Sequence, residues 1–211
     1  MTVHLQASLF DSAEAAPLRL TDLAALRRTE LSYGAWIDVL PGWLTGSDAL
    51  FEHLAAQVPW RAERRQMYDN VVSVPRLLAH YREGEPLPHP VLAAARDALS
   101  AHYAEELGEP FVTAGLCLYR DGRDSVAWHG DRIGRGRTHD TMVAILSVGE
   151  PRTLALRPCD GGAAQHRLPL GHGDLVVMGG SCQRTWEHAV PKTARGAGPR
   201  ISIQFRPRNV A

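Results

Sequence analysis

The chain has 211 residues, 45% of them apolar and 22% charged, with a formal net charge of zero. That is enough for one domain with its own core, and the neutral balance leaves any polyanion binding to local clusters rather than to the chain as a whole. Three cysteines without a CxxC spacing exclude a disulfide framework or a cysteine zinc site and fit a reducing cytoplasm. The first residues lack the basic start and apolar run of a signal peptide, and no stretch approaches the roughly 18 apolar residues of a membrane span.

Residues 1–30, with an Ala-rich polar start, read as a loosely structured N-terminal extension. Ala35 to Leu40 reads as a strand closed by the turn Pro41-Gly42. Ser47 can cap a helix running to about Val58, with Phe51, Leu54 and Ala55 on one face. From Arg61 to Arg82 the pattern is irregular and basic, with Met67, Tyr68 and Tyr81 interspersed, as in a substrate-facing lid or a surface hairpin. Arg61, Arg64 and Arg65 form one basic cluster and Arg132, Arg135 and Arg137 another, each either a polyanion contact or a solvated surface. A long helix is predicted over Pro90 to Glu106, because Val91, Leu92, Ala95, Leu99, His102 and Tyr103 fall at helical spacing and Gly108 lies just beyond.

After Pro110 the texture changes to short alternating runs separated by Gly- and Pro-containing turns. Strands are expected at Val112–Arg120, Ser125–His129, Thr141–Val148, Thr153–Arg157, His166–Leu170, Leu175–Met178, Glu187–Val190 and Arg200–Arg208. The fold class is mainly β with flanking helices (α+β), the strands forming a jelly roll or barrel whose N-terminal helices pad the outside of one sheet. Residues 31–211 form a single domain, with helical support and a lid over 31–110 and the roll over 111–208. No apolar surface helix demands a partner, so a monomer is expected.

The chemistry is concentrated in the roll. In a strand, residues i and i+2 point to one side, so His129 and Asp131 can reach one ion, with Gly130 letting the backbone pass close by. His188 would arrive from another strand. Two histidines and one carboxylate make the facial triad that holds non-haem Fe(II) with positions open for oxygen and a co-substrate. With ten histidines an isolated HxD is a weak signal, and the chain holds a second, His172-Gly173-Asp174, in a Gly-bounded turn. The second one reads as turn residues. Arg200-Ile201-Ser202-Ile203-Gln204-Phe205-Arg206 alternates strictly, placing both arginines on one face with Ser202 and Gln204. That face either meets water or lines the roll. In the second case the guanidinium groups need partners, which a dicarboxylate and a metal-bound aspartate supply. Their Cα atoms would lie about 20 Å apart, so Arg200 takes the distal carboxylate and Arg206 the metal end.

The run Cys117 to Asp131 resembles a signature of the AlkB family of Fe(II)/2-oxoglutarate dioxygenases. The stretches Pro75–Tyr81, Ser147 through Thr153, Trp186–Lys192 and Arg200–Arg206 are similar too, so the resemblance spans roughly residues 58–208. It most resembles the branch that includes the eukaryotic DNA and RNA demethylases. The resemblance implies a double-stranded β-helix that removes alkyl groups oxidatively from DNA or RNA bases, a form of DNA repair, releasing formaldehyde, succinate and CO2. It implies that His129, Asp131 and His188 bind Fe(II), that Tyr119, Arg200 and Arg206 bind 2-oxoglutarate, and that O2 is the oxidant. Cys117 and Ser202 stand where the family has Asn residues that contact 2-oxoglutarate. Met67, Tyr68 and Tyr81 are candidate walls or stacking surfaces for a flipped base. Trp128 is equally a candidate wall and a core residue. Arg132-Ile133-Gly134-Arg135 stands where family members carry acidic residues, and arginines there favour phosphate over an exocyclic amine, making Arg132 a candidate substrate contact. The alternatives are a dioxygenase of this fold acting on a tRNA base, a protein or a small molecule; a non-catalytic nucleic-acid-binding roll; and a cupin-type hydrolase or isomerase.

Overall fold

The alternation after Pro110 becomes two facing antiparallel sheets in the computed structural model, which describes residues 16–67, 70–132, 134–194 and 197–210, with the backbone alone for 64–67 and 70–73. The N-terminal part carries β1 (Arg19–Leu20), β2 (Arg27–Glu30), β3 (Ala35–Leu40), β4 (Leu44–Thr45), α1 (Ser47–Gln57), β5 (Arg61–Met67), β6 (Asn70–Tyr81), α2 (Pro90–His102) and α3 (Ala104–Leu107). The roll follows with β7 (Thr113–Tyr119), β8 (Val126–His129), β9 (Val143–Gly149), β10 (Arg152–Pro158), β11 (His166–Leu170) and β12 (Asp174–Gly180). It ends with α4 (Cys182–Thr185), β13 (Trp186–Val190) and β14 (Arg200–Arg206).

The large sheet runs in the order β2-β3-β12-β9-β14-β7-β6-β5, and the small one β11-β10-β13-β8. Strand β14 lies between β9 and β7, so both its edges are paired, and all its residues but the half-buried Arg206 are buried. Ile201, Ile203 and Phe205 pack outward against the helices, in a core with Leu50 and Leu54 of α1 and Leu92 and Leu99 of α2. The opposite face looks between the sheets, where Ile145, Leu154, Leu156, Val176, Met178 and Trp186 form a second core. Fully burying each of these large apolar side chains contributes about 1.5–3 kcal/mol, which is why the alternating pattern holds the strand in register. Among the described residues no helix is long and apolar enough to cross a membrane.

Three local expectations are corrected and one alternative is decided. Residues 19–30 are not loose: β1 pairs with β4, and β2 extends the large sheet beyond β3. Helix α1 starts from Gly46, whose φ of 64° and approach to the Ala16 carbonyl exclude a Cβ; Ser47 is already helical and its hydroxyl donates to the Leu44 carbonyl at 3.4 Å. Of the two forms expected for the basic stretch, the structure has the hairpin: β5 pairs with β6, and β6 in turn with β7. The long helix breaks at Tyr103 (φ −97°, ψ 13°), whose hydroxyl donates to the buried Asp38 carboxylate at 2.8 Å. Arg28 donates to the same carboxylate through Nε and Nη2, both at 2.8 Å, so this buried charge is paired.

Candidate metal centre

Strands β8 and β13 are neighbours, and His129 and His188 stand opposite each other in their register. Their ring centroids are 4.2 Å apart. Asp131 follows just past the end of β8, and the ligand atoms of all three residues lie within 4.8 Å of one another. His129 Nδ1 donates to the Ala127 carbonyl at 2.9 Å, which leaves Nε2 with its lone pair for a metal. Burial pushes His188 down to about 3, assisted by the neighbouring His129 and Arg206 and opposed by Asp131, so the imidazole is neutral. Burial alone would raise Asp131, but Arg206 and the two histidines bring it down to about 2, so it is an anion. A neutral His188 imidazole and an ionised Asp131 carboxylate are protonation states in which these groups can ligate a divalent metal. The donor set fits iron.

Arg206 Nε donates to Asp131 Oδ2 at 2.8 Å, and His129 Nε2 is 3.8 Å from Oδ1. Gln183 of α4, which sequence reasoning missed, accepts the Asp131 backbone N–H at 3.1 Å. Gly130 is required between the two ligands: a Cβ there would come within 2.6 Å of the Gln183 carbonyl oxygen and 3.0 Å of Arg132 Nε.

Behind the triad a cavity of about 70 Å³ opens between the sheets, lined by Tyr119, Cys117, Ser202, Gln204 and Arg200 as well as His129 and His188. It holds the volume of several waters, at roughly 10–15 Å³ each. Arg200 is 1% exposed; its Nε donates to Ser147 Oγ at 2.8 Å, while Nη1 is buried with no partner. A buried cationic donor left open costs free energy unless a ligand fills it. A linear dicarboxylate fits, one end on Arg200 and the other toward the histidines, as 2-oxoglutarate would be held. Tyr119, whose ring lies 5.2 Å from the Arg200 guanidinium, is pushed up to about 12 by burial and stays protonated. Cys117 donates its S–H to Gln204 Oε1 at 3.7 Å, and Gln204 Nε2 donates to Ser202 Oγ at 2.5 Å. Gln204 was visible on the polar face of β14 but was not assigned a role.

The structure therefore brings His129, Asp131, His188, Tyr119, Arg200, Arg206, Cys117 and Ser202 together. Tyr81 lines a mouth of about 450 Å³ that also reaches His129 and Asp131. Trp128 lines instead an outer groove of about 790 Å³, its ring covered by the Arg157 guanidinium at 4.3 Å. Arg132 turns away from both spaces toward Glu187 and Cys159, because those partners lie outside the sheet. Tyr68 and the Met67 side chain lie outside the described residues. Arg76, a second residue that sequence reasoning passed over, borders cavity, mouth and groove alike; Nη1 donates to the Ser125 carbonyl at 3.1 Å and Nε is buried without a partner. The second HxD is a turn, as expected: His172 Nδ1 accepts the Gly149 N–H at 2.7 Å, and Asp174 accepts those of Gly42 and Gly171.

A double-stranded β-helix with this triad at its mouth and a cationic pocket behind it defines a mononuclear non-haem iron oxygenase site. The family model described as the 2OG-Fe(II) oxygenase superfamily matches residues 37–206. The chain is 35% identical over 188 residues to the alpha-ketoglutarate-dependent dioxygenase alkB homolog 3 of Bos taurus, covering 79% of this chain and 64% of that protein. It is 28% identical over 182 residues to the DNA oxidative demethylase ALKBH2 of Homo sapiens, covering 76% and 68%. The solved structure of OsALKBH1 shares the fold, with a TM-score of 0.59 at 13% identity over 86% of this chain and all of that one. The chain thus spans about 64% of the length of the alkB homolog 3 relatives it matches. It belongs to the 2OG-Fe(II) oxygenase superfamily, and the curated relatives it is similar to include AlkB homologues. Membership implies Fe(II), 2-oxoglutarate and O2 as cofactor, co-substrate and oxidant.

Proposed function

We propose that this protein is an Fe(II)/2-oxoglutarate-dependent dioxygenase that oxidatively demethylates alkylated bases in DNA or RNA, with release of formaldehyde, succinate and CO2. The observation that carries the reading is the open Arg200 Nη1, buried behind the triad in a cavity it shares with His129 and His188. Iron, when bound, supplies the activation of O2 and the oxidation of the methyl group. His129, Asp131 and His188 would hold the ion. Arg206 keeps Asp131 ionised and fixes one of its oxygens, leaving Oδ1 toward His129. Arg200, which lines the cavity with Tyr119 and Ser202, would hold the far carboxylate of 2-oxoglutarate. The apolar walls Val143, Ile145 and Leu154 exclude water from that pocket.

The mouth beside Tyr81, at about 450 Å³, falls in the range of small-molecule sites and accommodates one base turned out of its stack. The same reading treats residues 31–211 as one catalytic unit acting as a monomer in the cytoplasm, in keeping with three free thiols. The test is aerobic turnover with Fe(II), 2-oxoglutarate and ascorbate on DNA and RNA oligonucleotides carrying 1-methyladenine or 3-methylcytosine. Loss of the methyl group with matching succinate, absent in His129→Ala, is the expected result. Succinate without demethylation would move the substrate elsewhere, and no succinate with metal bound would overturn the reading.

A further inference from the structure

The three ligands sit on segments whose neighbouring residues face out of the barrel. In a strand successive side chains alternate, so His188 inward places Glu187 outward. Trp128 precedes His129, and Arg132 follows Asp131. On the outer side of the small sheet these three neighbours are joined. Arg132 Nη2 donates to Glu187 Oε1 at 3.3 Å. Arg157, opposite Glu187 in the β10–β13 register, donates Nε and Nη2 to Oε2 at 3.1 and 3.0 Å. The same guanidinium covers the Trp128 ring at 4.3 Å. Arg157 is itself fastened by Nη1 to the Gly162 carbonyl at 3.2 Å, and Arg132 also lies 2.8 Å from Cys159 Sγ. The Glu187 and Arg157 side chains are only 20% and 22% exposed, so this is no freely solvated ion pair.

We propose that Glu187 is a positioning residue for the metal triad: through Arg132 and Arg157 its carboxylate ties the segments carrying Asp131, His188 and His129 into one outer brace. The proposal rests on the metal reading above. It gives Arg132 an internal task instead of the nucleic-acid contact expected from sequence. Partners outside the ligand set typically alter metal affinity 10- to 100-fold, because they fix where the ligand atoms point.

The test needs neither turnover nor co-substrate. Mn(II) binding to the full chain is measured by electron paramagnetic resonance, beside thermal melting of the metal-free protein. Glu187→Gln is expected to weaken Mn(II) about 10-fold, while Arg96→Ala, which removes an exposed ion pair on α2, leaves the affinity unchanged. Arg132→Ala and Arg157→Ala weaken it in the same direction, and neither adds to Glu187→Gln, since all three remove one device. A Glu187→Gln protein with wild-type Mn(II) affinity overturns the proposal, whatever its melting temperature. If that variant does not fold, wild-type affinity in both arginine variants does the same. Absence of Mn(II) binding in the wild type, or its persistence in His188→Ala, would instead sink the metal reading itself.

Discussion

The chain contains the tripeptide His-Gly-Asp twice, at 129–131 and at 172–174, and uses it for unrelated ends. At 172–174 the polar atoms serve the turn and a neighbouring helix: His172 Nδ1 takes the Gly149 N–H, its Nε2 lies 3.2 Å from the Asp48 carboxylate, and both Asp174 oxygens take N–H groups of Gly42 and Gly171. At 129–131 only the outer atoms are consumed. Ala127 fixes His129 Nδ1, Arg206 fixes Asp131 Oδ2, and the remaining Nε2 and Oδ1 face each other at 3.8 Å with His188 alongside. A metal site is thus made by what the surroundings leave unsatisfied as much as by the residues themselves.

The comparison can be broken most sharply at the two aspartates. Asp131→Ala should abolish Mn(II) binding and lower succinate formation at least about a thousandfold, to the level of background. Asp174→Ala should leave both within about twofold and instead lower unfolding free energy by about 1–2 kcal/mol, since two backbone donors lose their acceptor. Metal loss in the second variant would refute the distinction. At the other end of the cavity, Arg200→Ala should raise the KM for 2-oxoglutarate about 100-fold with metal affinity kept, as a charge-assisted contact of about 1.5–3 kcal/mol is removed. A KM close to wild type would show that the open guanidinium is not the co-substrate clamp.

The two glycines offer a finer contrast. Gly173 has φ +84° and a would-be Cβ 2.2 Å from the Leu44 carbonyl oxygen, so Gly173→Ala should cost about 1–3 kcal/mol in denaturant unfolding. Gly130 has no such dihedral, but its Cβ would press on the Gln183 carbonyl. Gly130→Ala should therefore show chiefly as weaker Mn(II) binding. A further contrast is in pH dependence. His188 titrates in the fold near 3, below its ordinary 6.5, so on acidification the unfolded chain takes its proton first. Its contribution to the metal-free fold is complete above about 6.5 and is lost as pH falls toward 3. The stability slope between about pH 7 and 5 should be shallower in His188→Ala than in the parent, measured by denaturant unfolding; an equal slope would rule His188 out as its source.

The eight strands after Pro110 were legible because period-2 alternation reports directly on a two-faced sheet, and each expected run has its strand within a few residues. The polar face of β14 was legible as a face, while its burial was not: that depends on β9 and β7 flanking it and on the small sheet lying opposite. The misreadings share one cause. Tyr103 fits helical spacing, yet its hydroxyl is held by Asp38 at 2.8 Å, from a strand far away in sequence. Arg132 suits a phosphate, yet Glu187 is within reach. Trp128 suits a base, yet Arg157 covers it. Gln183 carried no signal, since a lone glutamine in a short helix matches no pattern.

By itself the sequence determined the fold class, the positions of the strands after Pro110 along the chain and the residue types of a facial triad backed by two arginines. These are properties of local periodicity and of chemical kind, which each segment carries wherever it lies. Which His-Gly-Asp faces the second histidine, which arginine holds the aspartate and which is left open, and where Arg132 finds its carboxylate were decided only by the tertiary structure. The physical reason is that a site is a set of unsatisfied donors and acceptors. Satisfaction depends on neighbours brought together across sheets, with no imprint on the spacing along one strand.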